Sequence, residues 1–412
     1  MRFTLLIALL LAFITVPLVA QNVVLEGTVV DEETGEPIPY AAISTRFNQG
    51  SFANETGAYR IEFPADQGVD SVYVSQIGYT QRGVDVSNYV AGTVNRLDLR
   101  LRVSIISLDV VEVTLEMDPI YLIKRALRNI PYVYGCEEYL IQAYYREYSI
   151  EGDQYAEFTE AMVTIKDQPY YSPKAYAAIY LDNLKKEDYK GQVAESLRHG
   201  DQNPLYTLYQ GYSNGARRHT LHWMTSGDID FFEAFSFERM GVYSNGRDTI
   251  VRIGFELVPE RTGMTKRTLK LFAGWTKGEI YINMNDNAFI KITRGDEDGS
   301  SYSESTYHKI RGKYYPRMIQ KTSGFRVTDN NYYLNNQTMV FTNMINQKPL
   351  FDKYLTGKRV PPKRQFSYLK RKGLVPSSDF DRGMIFLPLS KALEVEKAKR
   401  LLNEKLGRNH NP

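Results

Sequence analysis

The sequence predicts a mainly β protein, in which an N-terminal seven-stranded β-sandwich is followed by a second β-rich domain with an antiparallel sheet and a few helices. Short segments of alternating apolar and polar residues recur between turn signals before residue 115, and longer ones recur after residue 135. Such alternation indicates strands with one buried face. The composition agrees, because the chain has 31 Tyr and 19 Phe but only 2 Trp, and tyrosine suits half-buried strands.

Residues 21–115 carry the sandwich pattern. Turn-tolerant residues at Asp31–Pro37, Asn54–Gly57 and Ala65–Gly68 separate its segments. About seven short strands in under ~100 residues are typical of a small β-sandwich. The predicted segments are Val23–Val30, Tyr40–Thr45, Tyr59–Phe63, Ser71–Ile77, Val94–Leu101 and Val110–Thr114.

Residues 116–134 predict a connecting amphipathic helix. Asp118 is placed to cap it, Pro119 occupies its first position, and Pro131 is expected to end it. Ile120, Ile123, Leu127 and Ile130 then share one face. We expect this face to pack on the helix's own domain, with docking to a partner as the alternative.

Residues 135–348 predict an antiparallel sheet of at least six strands. Helices are expected within Glu195–Arg239, most clearly at Asp228–Phe235, and Asn285–Asn287 forms a turn that accepts left-handed backbone angles. The predicted strands are Tyr139–Tyr148, Tyr155–Ile165, Glu279–Met284, Ala288–Thr293, Ser301–Ile310, Tyr314–Thr322, Gly324–Thr328 and Gln337–Thr342.

The N-terminal end of the chain is predicted to be a signal peptide, and the C-terminal end a basic arm. Residues 1–20 read as a secretory signal peptide, because an apolar run of ~17 residues is at the lower limit for a membrane anchor. We therefore expect an exported protein, periplasmic or associated with the outer membrane, without a transmembrane span in the mature chain. Residues 349–412 are predicted to form a basic surface arm and a helix at Lys391–Leu406, whose basic face is either solvated or in peripheral contact with anionic lipid.

The cysteine count and the net charge argue against a disulfide-bonded protein and against a nucleic-acid-binding protein. Cys136 is the only cysteine, so no internal disulfide forms, and with no histidine nearby in sequence a structural role is favoured over a nucleophile. The net charge is +3 with acidic and basic residues mixed throughout, so no nucleic-acid partner is expected.

Four motifs of the first domain are similar to the carboxypeptidase regulatory-like family. They are Gly27–Asp31, Thr34–Ala41, Thr56–Tyr59 and Ile77–Tyr79, and the resemblance covers about Val23–Leu101. It implies a transthyretin-like sandwich. From the residues themselves, Gly27 is expected where a side chain would collide with a neighbour, and Gly57 where the backbone angle is positive.

Ser107–Thr114 is similar to the segment that follows this domain in TonB-dependent outer-membrane receptors. The transporter that comes next in those receptors is not expected here, because too few residues remain. A role as an accessory to such a transporter stays open.

The resemblance also raises the question of a metallocarboxypeptidase, which requires Glu three places after a zinc-binding His. None of His199, His219, His222 and His308 has it, and His410 lies in the tail. His219 and His222 form a pair that suits metal binding, but the preceding Arg217 and Arg218 disfavour a cation. No metal or other cofactor is expected.

Two further motifs lack the neighbouring residues or elements that their function requires. Ser213 lies in Gly211–Gly215, which matches the G-x-S-x-G nucleophile elbow, but the strand, helix and parallel sheet that the elbow needs are not predicted around it. Asp296, Asp298 and Gly299 suggest a calcium loop without its terminal Glu. Arg294–Asp296 spells an adhesion tripeptide too short to be informative.

We therefore expect a non-catalytic binding or structural protein of the cell envelope, with the sandwich as a platform and the Tyr-rich second sheet as the contact face. The ligand of this contact face could equally be a glycan, a peptide or a partner envelope protein, since aromatic surfaces bind all three. The alternatives are an accessory to a TonB-dependent transporter and a serine hydrolase that uses Ser213.

Overall fold

The structure is a computed structural model, and two compact units divide its described residues. One unit contains residues 22–76 and 81–102, and the other contains residues 79–80 and 103–361. Among these residues no helix is long and apolar enough to span a membrane. The described ranges are 22–45, 50–54, 56–76, 79–103, 118–151, 154–168, 177–188, 203–210, 231–244, 248–259, 276–296, 301–328 and 331–361.

Several predictions fall outside these ranges. They are the signal peptide, the strand at Val110–Thr114, the receptor-like segment Ser107–Thr114 and the helix at Lys391–Leu406. The predicted boundaries at residues 20, 115, 134 and 348 also stay predictions.

The first unit consists of two four-stranded sheets. In one sheet β1 is central: it pairs antiparallel with β4 and parallel with both β7 and β8, while the other sheet has the order β3-β2-β5-β6. The strands are β1 (Asn22–Asp31), β2 (Ala42–Thr45), β3 (Gly50–Phe52), β4 (Ala58–Pro64), β5 (Ser71–Ser75), β6 (Arg82–Asp85), β7 (Val94–Arg96) and β8 (Leu99–Leu101), with a 3₁₀ turn at Ala65–Gln67.

Each of these sheets buries one face, as the predicted sandwich requires. Leu25 and Val29 on β1, and Val72 and Val74 on β5, are fully buried at alternate positions. The segment Val94–Leu101, predicted as one strand, is two strands. The ladder breaks between them because Asp98 turns its carboxylate onto β1, where Oδ1 accepts from the Thr28 backbone N–H at 2.9 Å.

The second unit is built on one eleven-stranded sheet whose neighbours are all antiparallel, which confirms the prediction of at least six strands. Its order is β12-β13-β14-β15-β16-β17-β18-β9-β10-β11-β19. The strands are β9 (Tyr139–Glu151), β10 (Gln154–Asp167), β11 (Ala178–Asp188), β12 (Phe235–Ser244), β13 (Thr249–Leu257), β14 (Lys277–Asn283), β15 (Ala288–Gly295), β16 (Ser301–Ile310), β17 (Lys313–Thr328), β18 (Asn331–Ile345) and β19 (Lys358–Arg359).

Two details of this sheet bear on the predictions. The segments Tyr314–Thr322 and Gly324–Thr328, predicted separately, form the single strand β17 because Gly324 keeps its place in the ladder opposite Leu334. The predicted turn after β14 is confirmed, since Asn287 has a φ of 53°.

Within the described residues the helices are α1 (Pro119–Val133), α2 (Pro204–Gln210), α3 (Phe231–Ala234) and α4 (Phe351–Tyr354), and a 3₁₀ turn spans Lys348–Leu350. The predicted cap of α1 is confirmed, because the Ile120 backbone N–H donates to Asp118 Oδ1 at 3.1 Å. The prediction that Pro131 ends α1 is wrong. Proline disrupts only one bond of a final turn, and the Tyr134 backbone N–H still donates to Ile130 O at 3.2 Å.

Helices α1, α2 and α3 pack in the main core on one face of the large sheet, whereas Phe351 of α4 packs with Leu140 and Ile345 on the opposite face. Leu122, Ile123, Ala126 and Ile130 of α1 are buried in the same core as the inward residues of β9 and β10. Packing on its own domain, as predicted for α1, is therefore confirmed. The clearest predicted helix, Asp228–Phe235, is helical over Phe231–Ala234 in the described part of the chain, because Phe235 already pairs with Leu257 as the first residue of β12.

Candidate functional site

The register of the large sheet aligns polar side chains into a row on the face opposite the main core. Successive residues of a strand point to opposite faces, so this row alternates with the apolar row of Ile253, Ile280 and Ile292. We call it the polar row. From β12 across to β10 it contains Glu238, Gly254, Glu279, Thr293, Glu304, Gln320, Thr338, Arg146 and Glu160.

A pocket of about 400 Å³ lies at the β12 end of the polar row. Strands β12 to β16 line it, through Glu238, Glu279 and Thr293 of the row and through Lys277 and Tyr302 of the next one. We call it the β12–β16 pocket. All of its lining residues belong to described parts of the second unit.

Glycines shape the floor of the pocket. Gly254 takes a position in the polar row where a Cβ would lie 2.8 Å from Met240 Sδ. Gly295 pairs with Tyr302, and a Cβ there would lie 2.7 Å from the backbone oxygen of Ser301. The pocket therefore exists where the sheet lacks two side chains.

Ion pairs hold the neighbouring side chains in place. Glu279 is bonded to the Arg252 guanidinium, and Tyr281 donates its hydroxyl to Glu279 Oε2 at 2.7 Å. Burial opposes ionisation of Glu279, but these two donors outweigh it and lower its pKa. Glu279 is therefore a fixed carboxylate at neutral pH.

Tyr302 forms the opposite wall. Its hydroxyl donates to Glu304 Oε2 at 2.6 Å, and Glu304 also pairs with Lys291 Nζ at 3.0 Å. Burial and the adjacent carboxylate raise the pKa of Tyr302, so its phenol stays protonated. The side chain is nevertheless 37% exposed, which leaves part of the ring available to a ligand.

The charge of the lining favours some ligands over others. Four carboxylates and two cations line the pocket, and a third cation, Arg252, pairs with Glu279 from outside the lining, which leaves one negative charge in excess. The carboxylates belong to Glu238, Glu256, Glu279 and Asp296, and the two lining cations to Lys277 and Arg294. An anionic ligand is therefore disfavoured. Hydroxyl groups, which donate hydrogen bonds to carboxylates, are suited to this lining.

A second polar network lies on the core face of the sheet. Glu147 is 2% exposed and accepts from the Tyr145 hydroxyl at 2.8 Å and from Asn335 Nδ2 at 3.0 Å. Gln337 Nε2 also donates to it at 3.3 Å. Because both oxygens of this buried carboxylate are bonded, the network is a structural link between β9 and β18.

Many tyrosines of the second unit are buried, so fewer of them are available for a contact face than the composition suggested. The hydroxyls of two core tyrosines bond to backbone oxygens, since Tyr134 donates to Phe289 O at 2.6 Å and Tyr206 donates to Val360 O at 2.9 Å. The pocket wall at Tyr302 keeps an aromatic face toward solvent. Tyrosines of the second unit that are buried are Tyr134, Tyr139, Tyr144, Tyr145, Tyr148, Tyr206, Tyr209, Tyr307, Tyr314, Tyr315 and Tyr333.

The structure describes only some of the residues that the sequence singled out. Cys136 is exposed. Burial, together with the Arg317 charge, lowers the pKa of His308 to about 4, so this imidazole is neutral at physiological pH. Outside the described residues lie Ser213, His199, His219, His222, His410, Asp298 and Gly299.

The alternatives that depend on undescribed residues, the serine hydrolase and the transporter accessory, therefore stay predictions. Within the described ranges no three His, Cys, Asp or Glu side chains come together as a metal site. Asp296, considered for a calcium loop, instead lines the β12–β16 pocket. The pocket itself was missed, although glycines inside strand patterns at 254, 278 and 295 were a signal for it.

The first unit has the geometry that its motifs predict. A Cβ on Gly27 would lie 1.9 Å from Leu97 O, and Gly57 has a φ of 75°. The family model of the carboxypeptidase regulatory-like domain matches residues 24–102. Residues 24–102 are a carboxypeptidase regulatory-like domain. In this domain Asn54 closes the turn, because its Oδ1 accepts from the Thr56 and Ala58 backbone N–H groups.

Comparison with solved structures gives only distant likenesses. A LolA superfamily protein from Nitrosomonas europaea has 9% identity and a TM-score of 0.25, with 55% of this chain and 96% of that chain covered. An outer membrane lipoprotein-sorting protein domain from Vibrio parahaemolyticus has 9% identity and a TM-score of 0.24, covering 57% and 97%. A membrane-associated protein of unknown function from Bacteroides fragilis has 10% identity and a TM-score of 0.17, covering 79% and 99%.

With such low TM-scores these likenesses assign no function. The search of the curated proteins found no match.

Proposed function

We propose that the chain is a non-catalytic binding protein of the cell envelope, whose ligand occupies the β12–β16 pocket. The observation that carries the proposal is the pocket itself, which has a volume of about 400 Å³ and is lined by four carboxylates and a partly exposed tyrosine. Its volume lies in the ~300–1,000 Å³ range of small-molecule sites. The predicted signal peptide and the carboxypeptidase regulatory-like domain support an envelope location.

Of the three ligand classes that the sequence left open, the pocket favours a glycan. Glu238 and Glu279 offer acceptors to sugar hydroxyls, and the hydroxyls of Ser236 and Thr293 both donate and accept. The Tyr302 ring offers an apolar face beside them. The excess of carboxylates disfavours acidic peptides and anionic sugars.

The proposal is tested by calorimetric titration of the full chain with a panel of neutral and amino sugars and their oligomers. Tyr302→Ala is expected to weaken binding by about tenfold to thirtyfold, as for loss of an aromatic anchor. Glu238→Gln keeps the size of the side chain and is expected to weaken the same ligands, because the amide is a poorer acceptor for hydroxyl donors than a carboxylate.

The matched control is Tyr73→Ala in the first unit, since Tyr73 is 38% exposed and Tyr302 is 37% exposed. This control is expected to leave the affinity unchanged. Sugar binding that survives both pocket variants would place the ligand elsewhere. Preferential binding of acidic oligosaccharides would contradict the charge argument.

A further inference from the structure

Helix α1 presents an exposed stripe of aromatic and basic side chains. Tyr121, Lys124, Arg128 and Tyr132 follow each other at spacings of three and four residues, which places them along one side of a helix. Tyr121 is 48% exposed and Tyr132 is 72% exposed. We call these four residues the α1 stripe, and we propose that it binds an anionic lipid surface.

All charged side chains of α1 are positive. Lys124, Arg125 and Arg128 are its charged residues, and none of them forms an ion pair in the part of the chain that the structure describes. Lys124 Nζ lies 4.7 Å from the centre of the Phe232 ring, and Arg128 Nε donates to Lys124 O at 3.3 Å. Neither contact involves a carboxylate.

The basic surface continues beyond the end of the helix. Lys313 Nζ donates to the backbone oxygen of Tyr132, so the tip of the β16–β17 hairpin adjoins the C-terminus of α1. Arg311 and Gly312 form this tip with φ values of 48° and 83°, and Arg311 is exposed. The acidic neighbours in sequence, Asp118 and Glu137, lie beyond the two ends of the helix.

The buried side of α1 fixes which side faces outward. Leu122, Ile123, Ala126 and Ile130 belong to the core of the second unit. They are therefore not available to enter a bilayer, and any membrane contact of α1 uses the stripe. Such a contact is peripheral and electrostatic, and salt weakens it.

A lipid surface fits the stripe better than an acidic protein does. Tyrosines occupy both ends of the stripe, and tyrosine is enriched at the membrane–water interface, where its ring and hydroxyl suit the headgroup region. Lysine and arginine near an anionic leaflet are attracted by its surface potential. The stripe extends over twelve residues, and the Cα atoms of its two tyrosines are roughly 16 Å apart along a straight helix, which suits contact with a flat surface.

The test is co-sedimentation of the full chain with vesicles. One set is neutral phosphatidylcholine and the other contains phosphatidylglycerol as the anionic lipid, each at low and at high salt. We expect binding to the anionic vesicles at low salt and its loss at high salt. Binding to neutral vesicles that equals binding to anionic ones would overturn the proposal.

A pair of matched variants locates the contact. Lys124→Gln combined with Arg128→Gln removes both cations of the α1 stripe, while Lys348→Gln combined with Lys353→Gln removes two exposed cations elsewhere in the same unit. Both variants lower the net charge of +3 by two. The α1 pair is expected to reduce partitioning by about thirtyfold and the control pair by less than about threefold.

Equal losses in the two pairs would mean that net charge, and not the stripe, causes binding, and would overturn the proposal. Tyr132→Ser tests the aromatic contribution without changing charge, and it is expected to weaken binding severalfold. Circular dichroism of each variant checks that α1 remains folded. Sugar titration is expected to be unaffected, so failure of this proposal is distinct from failure of the glycan proposal.

Discussion

Replacement of Gly27 by Ala tests how closely the carboxypeptidase regulatory-like domain packs its first strand. A Cβ at this position would lie 1.9 Å from Leu97 O and 2.6 Å from Leu97 C. Both are backbone atoms, so no side-chain rotation relieves the overlap. The connection between β7 and β8 must therefore move away from β1.

Four hydrogen bonds depend on this approach. Leu97 N donates to Glu26 O at 2.8 Å, and Tyr59 donates its hydroxyl to Leu97 O at 2.6 Å. Asp98 Oδ1 accepts from the Thr28 backbone N–H at 2.9 Å and from its hydroxyl at 3.0 Å. At ~0.5–1.5 kcal/mol each, their loss costs roughly 2–6 kcal/mol, against a stability of ~4–12 kcal/mol for a domain of this length.

Hydrogen exchange of the full chain, followed by mass spectrometry, measures this effect in peptides that contain β1. Gly27→Ala is expected to abolish most of their protection, while peptides from β9 and β10 keep theirs. Gly68→Ala serves as the control, because Gly68 has a φ of 62° and nothing lies within 4 Å of its added Cβ. If Gly27→Ala costs no more than the ~1 kcal/mol expected for the control, the close-approach argument is wrong.

Two more predictions concern the second unit. Tyr209→Phe removes a 2.5 Å hydrogen bond to the buried Asp167 but keeps the ring contact with Phe341, so it is expected to cost ~1.5–3 kcal/mol. A double-mutant cycle with Asp167→Ala, which removes the acceptor, measures the coupling by chemical denaturation. A coupling near zero would contradict a direct bond. His308 has a pKa of about 4 in the folded chain and ~6.5 when unfolded, so the unfolded state binds more protons between these values and stability falls as pH falls from 6.5 to 4. His308→Gln is expected to reduce the loss of unfolding free energy on acidification by roughly 2 kcal/mol. Melting curves of the variant and of the unchanged protein at pH 7.5 and pH 4.5 measure this difference. Equal decreases in melting temperature for the two proteins would contradict the prediction.

The strands could be predicted from the sequence because the alternation of apolar and polar residues is a local property. The predicted segments Val23–Val30 and Ser301–Ile310 correspond to β1 and β16. The helix cap at Asp118 was readable for the same reason. The prediction at Pro131 failed because proline lacks only its own backbone donor, and the residues after it still close a turn, in which the Tyr134 backbone N–H donates to Ile130 O.

The pocket was not readable from the sequence, because it depends on which strands are neighbours. Glu238 and Thr293 are far apart in the chain, and three ladders in register bring them to one row. Likewise, the composition suggested that the strand tyrosines have a solvent-exposed face, whereas Tyr139 on β9 is buried in the core beside Tyr209 of helix α2. Burial of a side chain depends on what packs against its sheet, and the strand's own pattern does not contain that information.

The sequence by itself determined that the chain is mainly β, where most strands lie, and that Gly27 and Gly57 support a carboxypeptidase regulatory-like domain. These features follow from periodicity and backbone sterics, which act over a few residues. Only the tertiary structure decided that the second sheet has eleven strands, that a pocket opens over Gly254 and Gly295, and that Tyr132 of α1 faces solvent. Those features arise from pairing between segments far apart in the chain, whose register is set by the packing of the whole core.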